Sequence, residues 1–435
     1  MKRRKAEMLG VYLEPTLHNS MRIGSLLREP DDTVRFVVDE AYLNLGSSRP
    51  ILSAGWWYPS DDRKTIERLR DPRGKTGLLG NLPPWFKNVI PEGALRVAIE
   101  RQMGPGHHSD FDIMKRVGHD LPGAVVVRDE GNVAPSPNGG DVQDDLPPIR
   151  FGLAGVQLKL SVLKDGEGLT VPAEGQFGSI IAKLPSRQRG LEFLPELEFA
   201  AMCLAEAVGV DVAACELIPL QKLHGIGPEH RKHGDFALAV TRFDRRPGER
   251  VHIEDFAQIF GAVDNQKYTL ANEETLWNGV KRFSTDPNGD LLEATRRLVV
   301  NILLGNGDAH LKNTSLIYPD GRTVRLSKAY DIVPTVCLDG DDTLAIPFGR
   351  AKMMSDVTFE TFRRPCMLLD VEPRLLVDEA RRTIEKAADT WPGLLPNLPL
   401  PEHHADALRK RWESVALTEG HWQVSLPKPT VGGPI

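Results

Sequence analysis

Asp308 and Asn313 stand five residues apart in Asn301-Ile-Leu-Leu-Gly-Asn-Gly-Asp-Ala-His-Leu-Lys-Asn313, and a further acid, Asp331, follows Tyr330. That Asp-to-Asn spacing is the one found in the catalytic loops of phosphoryl-transfer enzymes. There the Asp orients or deprotonates an accepting hydroxyl, while the Asn and a later Asp hold Mg²⁺ against the phosphates. The plainer alternative is a polar loop whose Asp and Asn only cap turns. The flanking pattern favours the chemistry. Leu298, Val299, Val300, Ile302, Leu303 and Leu304 read as an apolar helix stopped by Gly305. Beyond the loop, Thr314–Tyr318 and Thr323–Leu326 read as a hairpin around Pro319-Asp-Gly321, and Asp331 comes after it.

Such a site needs a cation for the phosphates. Lys183 ends the apolar strand Gly178–Lys183, about where a kinase places its phosphate-binding lysine, although a strand-edge lysine is ordinarily solvated. Upstream, Phe151-Gly-Leu-Ala-Gly155 leads into an alternating strand with Val156, Leu158, Leu160 and Val162 on one face. Its G-x-x-G matches neither a Walker A loop nor G-x-G-x-x-G, and glycines in a hairpin corner are the alternative. A turn at Asp165–Gly168 and a return at Leu169–Val171 complete a meander. Pro195–Val208 reads as a helix closed by Gly209, with Leu197, Ala201, Leu204 and Val208 on a core face. Glu196 or Glu198 in its first turn could pair with Lys183, or could simply complement the helix dipole. Strands Cys215–Pro219 and Ala237–Thr241 follow, and the second is the natural hinge to a helical lobe. Helices are expected at 253–260, 273–283, 289–304, 372–391 and 403–417.

The rest of the chain narrows the class. With 435 residues, 41% hydrophobic and 26% charged, it has the composition of an ordinary globular protein of two or three domains. A net charge of -6 argues against broad nucleic-acid binding by this chain alone. The four cysteines (Cys203, Cys215, Cys337, Cys366) form no C-x-x-C pair and read as reduced packing residues. Met1–Lys5 is basic, but Glu7, Glu14, Pro15 and His18 break up the residues after it, and no membrane span is present, so a cytoplasmic location is expected. Leu9–Leu13, Arg22–Leu27 and Val34–Val38 read as strands, and Trp56-Trp57 as core or interface anchors. Residues 92–118 read as helical, with His107-His108 in a solvated loop between two helices. From Arg128 to Pro148 the chain is rich in Pro, Gly, Asn and Asp, as in a flexible connector.

In this order the pieces resemble the HipA family of bacterial toxin kinases. The matching words are Phe151–Lys159, Ile180-Ile-Ala-Lys-Leu-Pro185, Arg242-Phe-Asp-Arg245, Gly305–Asn313 and Ala329-Tyr-Asp-Ile-Val-Pro334. Tyr42-Leu43 through Arg49-Pro50, Asn88–Gly93 and Gly118–Ala124 fit as well, so the resemblance spans most of residues 10–395. It implies an α+β, HipA-like kinase fold. An N-terminal β-rich subdomain with helices would cover 1–127, an acidic linker 128–148, and a β-meander N-lobe 149–246. A mainly helical C-lobe would cover 247–420, and a tail 421–435.

The resemblance implies a Ser/Thr protein kinase using ATP and Mg²⁺. Asp308 would be the catalytic base, and Asn313 and Asp331 the Mg²⁺ ligands. Lys183 would hold phosphates, and Ala154, Gly155, Val156, Gln157, Leu158 and Lys159 would form the loop over the nucleotide. Thr241, Arg242 and Phe243 would make the adenine hinge, with His310, Lys312 and Tyr330 also at the nucleotide. The implied partner is a small helix-turn-helix antitoxin, HipB, through which DNA is met indirectly. The implied substrates include aminoacyl-tRNA synthetases, whose phosphorylation stops translation and growth. Gly152 departs from the family: it stands where well-known members carry an autophosphorylated Ser that ejects the loop. Loss of that self-inactivation is the expectation, with Ser161 the nearest remaining hydroxyl. Two other classes remain open, a small-molecule phosphotransferase of the antibiotic type and a catalytically silent co-repressor.

Overall fold

The computed structural model describes residues 6–16, 19–131, 158–166, 168–170, 178–186, 188, 190–224, 226, 231 and 233–420. The N-terminal unit is built on long hairpin strands, β1 (Glu7–Thr16) and β2 (Asn19–Arg28), joined by β3 (Val34–Val38) and β4 (Thr76–Gly77). A further strand, β5 (Val125–Asp129), returns to pair with β1 and takes in the first residues read as a linker. Alternation sends Leu9, Val11 and Leu13 of β1 into one buried cluster with Ile23 and Leu26. The helices that close this core include α1 (Gly93–Gln102) and α2 (Asp110–Val117). Ser109 begins the second with a capping box to Asp112. Trp56 is a core residue here, stacked on Phe36 at 6.0 Å between ring centroids.

The second unit carries a five-stranded sheet in the order β7-β6-β8-β10-β9. Its strands are β6 (Lys159–Asp165), β7 (Gly168–Thr170), β8 (Ile180–Lys183), β9 (Cys215–Pro219) and β10 (Phe236–Thr241). Helix α3 (Leu194–Ala207) packs on this sheet, with Pro195 in its first turn and Leu197, Ala201 and Leu204 fully buried. In register, Lys159 of β6 faces Lys183 of β8. Two like charges directly opposite each other destabilise a sheet unless something lies between them.

After β10 the chain turns back to the N-terminal unit. The short strands β11 (Arg245–Arg246) and β12 (Glu249–Arg250) extend the N-terminal sheet to the order β11-β12-β1-β2-β3-β4. The stretch 253–260, expected to be one helix, divides: β13 (His252–Asp255) pairs with β14 (Ser315–Tyr318), and only α4 (Phe256–Phe260) is helical. The reason is local. Asp255 accepts from Gln258 N at 2.7 Å and Gln258 reciprocates, so the helix starts at that box. Next come α5 (Gln266–Thr269), α6 (Glu273–Phe283) and α7 (Pro287–Leu304), followed by the hairpin of β14 with β15 (Arg325–Leu326). Beyond the two-stranded hairpin β16 (Thr343–Phe348) and β17 (Ala351–Met353) come α8 (Phe359–Leu368), α9 (Pro373–Leu394) and α10 (Glu402–Ser414). The apolar run of α7 is buried on all sides, which suits a central helix.

The N-terminal and catalytic units share polar seams. The buried Glu254 carboxylate accepts from Ala54 N at 2.6 Å, Trp85 Nε1 at 3.0 Å and Tyr318 Oη. At the other seam, Asp244 accepts from Arg242, Arg245 and Gly123 N, and Arg245 also donates to Asp120 and Leu121 O. Buried charges are tolerated when paired and hydrogen-bonded in this way.

Candidate active site

Helix α7 ends at Gly305, whose φ of +68° is left-handed. A Cβ there would also collide with Val336 Cγ1, so both conformation and space ask for glycine. The loop after it is locked by its own polar groups. Asn306 Nδ2 donates to Asn301 Oδ1 at 3.0 Å, and Thr335 Oγ1 accepts from Gly307 N at 2.8 Å. Asn313 Nδ2 donates to the Asp308 carbonyl at 2.8 Å. Tyr330 Oη donates to Lys312 O at 2.9 Å and lies 2.5 Å from Ser315 Oγ. Asn313 and Tyr330 therefore brace the loop, while the Asp308 side chain stays 53% exposed. One Asp308 oxygen accepts from Tyr268 Oη at 2.7 Å and lies 3.9 Å from His310 Nε2. Burial drives the His310 imidazole down to about 4, so it is neutral at pH 7. Its Nδ1 is buried with no hydrogen-bond partner among the described residues.

Asp331 is the second centre. It too has a positive φ, +59°, a conformation that costs a non-glycine residue energy and that clusters at functional sites. Its neighbour Ala329 is held to the other lobe by Ala213 N→Ala329 O at 2.9 Å and Ala329 N→Asp211 O at 2.7 Å. So held, the Asp331 carboxylate meets Lys159 Nζ at 3.0 and 3.2 Å and also bonds Lys183 Nζ. Lys183 has a second acid, Glu198 of α3, in a pair that is almost completely buried. Two cations and two carboxylates thus balance, and Asp331 resolves the repulsion between the facing lysines. Burial alone would raise Asp331, yet the two ammonium groups hold it far below the usual carboxylate range. Burial likewise works against Lys183, and its acids outweigh it, so the ammonium persists. Burial raises Glu198 against the pull of Lys183.

The residues expected at the site fall into groups. Asp308, Asn313, His310, Lys183, Lys159 and Asp331 lie on the loop or around the Asp331 centre. Ala154, Gly155, Val156, Gln157 and Gly152 lie outside the described residues. Leu158 is half-buried, and its carbonyl accepts from Leu184 N at 3.0 Å. Of the two acids offered to Lys183, the partner is Glu198; Glu196 Oε2 is buried without a hydrogen-bond partner among the described residues. Thr241 N and Arg242 N donate to Ala214 O and Ser179 O, while the Arg242 side chain is committed to Asp244 and Asp120. Phe243 packs against Tyr330 at 5.7 Å between centroids. Lys312 turns to Glu92 of the N-terminal unit, 2.7 Å away. Ser161 is buried in β6, which removes it as an accessible hydroxyl. Tyr268 and Glu92 were not foreseen, since neither belongs to a spacing pattern.

The arrangement fits a magnesium nucleotide. Among the described residues no group of three or more His, Cys, Asp or Glu could hold a metal alone. Mg²⁺ is ordinarily held by one or two protein ligands, with phosphates and water completing the octahedron. Asp331, ionised, and the Asn313 amide would be ligands of that kind.

Comparison with known proteins identifies the family. A model of the HipA-like C-terminal domain matches residues 151–391, and one of the HipA N-terminal domain matches residues 16–128. The Sinorhizobium fredii protein Y4dM, named as a kinase, is 38% identical over 410 residues, covering 91% of this chain and 95% of that protein. Y4mE of the same organism, also named as a kinase, is 28% identical over 376 residues, covering 77% and 86%. Among solved structures, HipA of Shewanella oneidensis MR-1, in complex with HipB and operator DNA, superposes with a TM-score of 0.70. That match is 20% identical and covers 96% of this chain and 100% of the other, and it shows the shared fold.

Proposed function

The chain belongs to the HipA family, and on that premise we propose that it is an ATP- and Mg²⁺-dependent kinase acting on a Ser or Thr of a cellular protein. The observation that carries this reading is the Asp331 carboxylate, kept ionised by Lys159 and Lys183 beside the Asp308–Asn313 loop. Bound Mg²⁺ neutralises charge on the β- and γ-phosphates. Asp331 and Asn313 are the residues to hold it, and Lys183, kept in place by Glu198, is the cation for the phosphates. Asp308 receives the acceptor hydroxyl. The acceptor oxygen bonds to the γ-phosphorus as its proton passes to Asp308, and the bridging oxygen leaves with ADP. Asp308 is half exposed, and the part-buried Asp331 carboxylate is held between two lysines.

We further propose a HipB-like helix-turn-helix antitoxin as partner, DNA contact only through it, and a cytoplasmic protein substrate, with aminoacyl-tRNA synthetases as the class to examine first. No described helix is long and apolar enough to cross a membrane. The test is transfer of radiolabelled γ-phosphate to proteins of a cell extract. Wild type should label a protein band. Asp308→Asn and Asp331→Asn should each lose at least ~10²-fold, the scale for removing a positioned base. Near-wild-type labelling by either variant would overturn the assignment.

A further inference from the structure

Tyr268 has no place in the chemistry above, yet its hydroxyl donates to the one oxygen of Asp308 that also faces His310. In phosphoryl transfer that is the hydrogen bond the acceptor's hydroxyl makes to the base. The ring is fixed edge-on against His310, with centroids 5.0 Å apart, so the hydroxyl is directed at the carboxylate by packing as well as by attraction.

The segment that carries Tyr268 is lightly tethered. Asp264, Asn265, Gln266, Thr269 and Leu270 are exposed, and Asp264 has a left-handed φ of +50°. Besides packing on residues 311–313 and β16, its ties include ion pairs to the N-terminal unit: Lys87 Nζ with Asp264 Oδ1 at 3.1 Å, and Lys267 Nζ with Glu92 Oε2 at 3.7 Å. Each pair keeps a part-exposed or exposed carboxylate, which limits what it contributes. The Tyr268–Asp308 bond thus ties this segment to the loop, beside the packing of the Tyr268 ring on His310.

We propose that Tyr268 fills the acceptor subsite: its hydroxyl stands in for that of the substrate, and the segment 264–270 moves aside when an acceptor engages Asp308. This rests on the kinase reading of Asp308. The ligand is defined by its chemistry, an alcohol-bearing side chain on a segment able to displace a four-residue helix, α5. Glu92, which pairs with both Lys267 and Lys312, ties the N-terminal unit to both walls of this subsite.

The experiment uses the full chain and Tyr268→Phe, which keeps the ring on His310. The acceptors are water, followed as phosphate release from Mg²⁺–ATP, and dephosphorylated casein. Phosphate release should rise and the casein KM should fall, each by roughly tenfold, the scale of one hydrogen bond to a charged group; kcat for casein should hold. A fall in kcat at unchanged KM would make Tyr268 a positioning residue and overturn the proposal, as would no change at all. Hydrogen exchange without nucleotide is the second readout. The amides of 266–270 should exchange several-fold faster in both Tyr268→Phe and Asp308→Ala than in wild type, and equal rates would also overturn the proposal. A wild type that neither hydrolyses ATP nor binds its analogues, yet shows those exchange differences, would instead refute the kinase reading and leave the tether standing.

Discussion

The two halves of the proposed catalytic cleft are built differently. On the nucleotide side, Lys159, Lys183 and Glu198, all buried, and the part-buried Asp331 form a charge-balanced cluster in which each member restrains another. On the acceptor side, Asp308 is half exposed and meets one hydroxyl from a lightly held segment. Burial explains the contrast. A charge removed from water must have its partners already in place, whereas a solvated carboxylate can exchange partners at little cost. The nucleotide side is preorganised, and the acceptor side is replaceable.

That difference yields its strongest prediction when the two acids are compared. Asp331→Asn should abolish transfer and also destabilise the fold by about 3 kcal/mol, the scale for breaking a buried pair, because two facing lysines lose their shared acid. Asp308→Asn should abolish transfer with an unchanged unfolding midpoint. Equal midpoints for the two variants in urea would erase the contrast. Glu198→Gln should come next, lowering stability and weakening ATP binding together, since Lys183 keeps only Asp331. Stability and ATP affinity both matching wild type would show that Glu198 does not support Lys183.

Acid should then distinguish the sides further. Burial lowers His310, on the acceptor side, and His252, in the seam between units, each to about 4. Against an unfolded value of about 6.5, both contributions are complete above that pH. They are lost as the pH falls from 6.5 towards 4, by up to about 3 kcal/mol each. Asp255, raised to about 7 by burial, has the opposite sign and gains stability as it protonates on the way down from pH 7. His310→Gln should remove the His310 share of the loss between pH 6.5 and 5 in urea titrations; a slope identical to that of wild type would show that His310 is not buried as described. The smallest effect should come from Glu92→Gln, below about 1 kcal/mol in stability because the carboxylate is part exposed. A larger loss would mean that the N-terminal unit supports the loop more rigidly than its ion pairs suggest.

Much of the nucleotide side was legible in the sequence because its signals are local. Gly305 ending an apolar helix, the Asp308–Asn313 spacing and a lysine closing a strand are each read within a dozen residues. The parts that escaped depended on register, phase or distance. That Lys159 and Lys183 share Asp331 comes only from their facing each other across β6 and β8. Glu198 and Glu196 are both buried in the first turns of α3, and only the docked orientation selects Glu198. The adenine hinge is expected at Thr241–Phe243; that the Arg242 and Arg245 side chains reach back to Asp120 of the N-terminal unit depends on contacts far apart in sequence. The helix expected over 253–260 lost its first half to strand pairing with residues far downstream. Tyr268 lies in a stretch with no apolar period and no motif, so nothing short of the folded chain could bring it to Asp308.

The preorganised half of the cleft is tested most directly by calorimetric titration of a non-hydrolysable ATP analogue with and without Mg²⁺. Wild type and Asp308→Asn should bind alike and more tightly with Mg²⁺, while Asp331→Asn should lose that Mg²⁺ dependence. Unaltered Mg²⁺-dependent binding by Asp331→Asn would contradict a nucleotide site centred on Asp331.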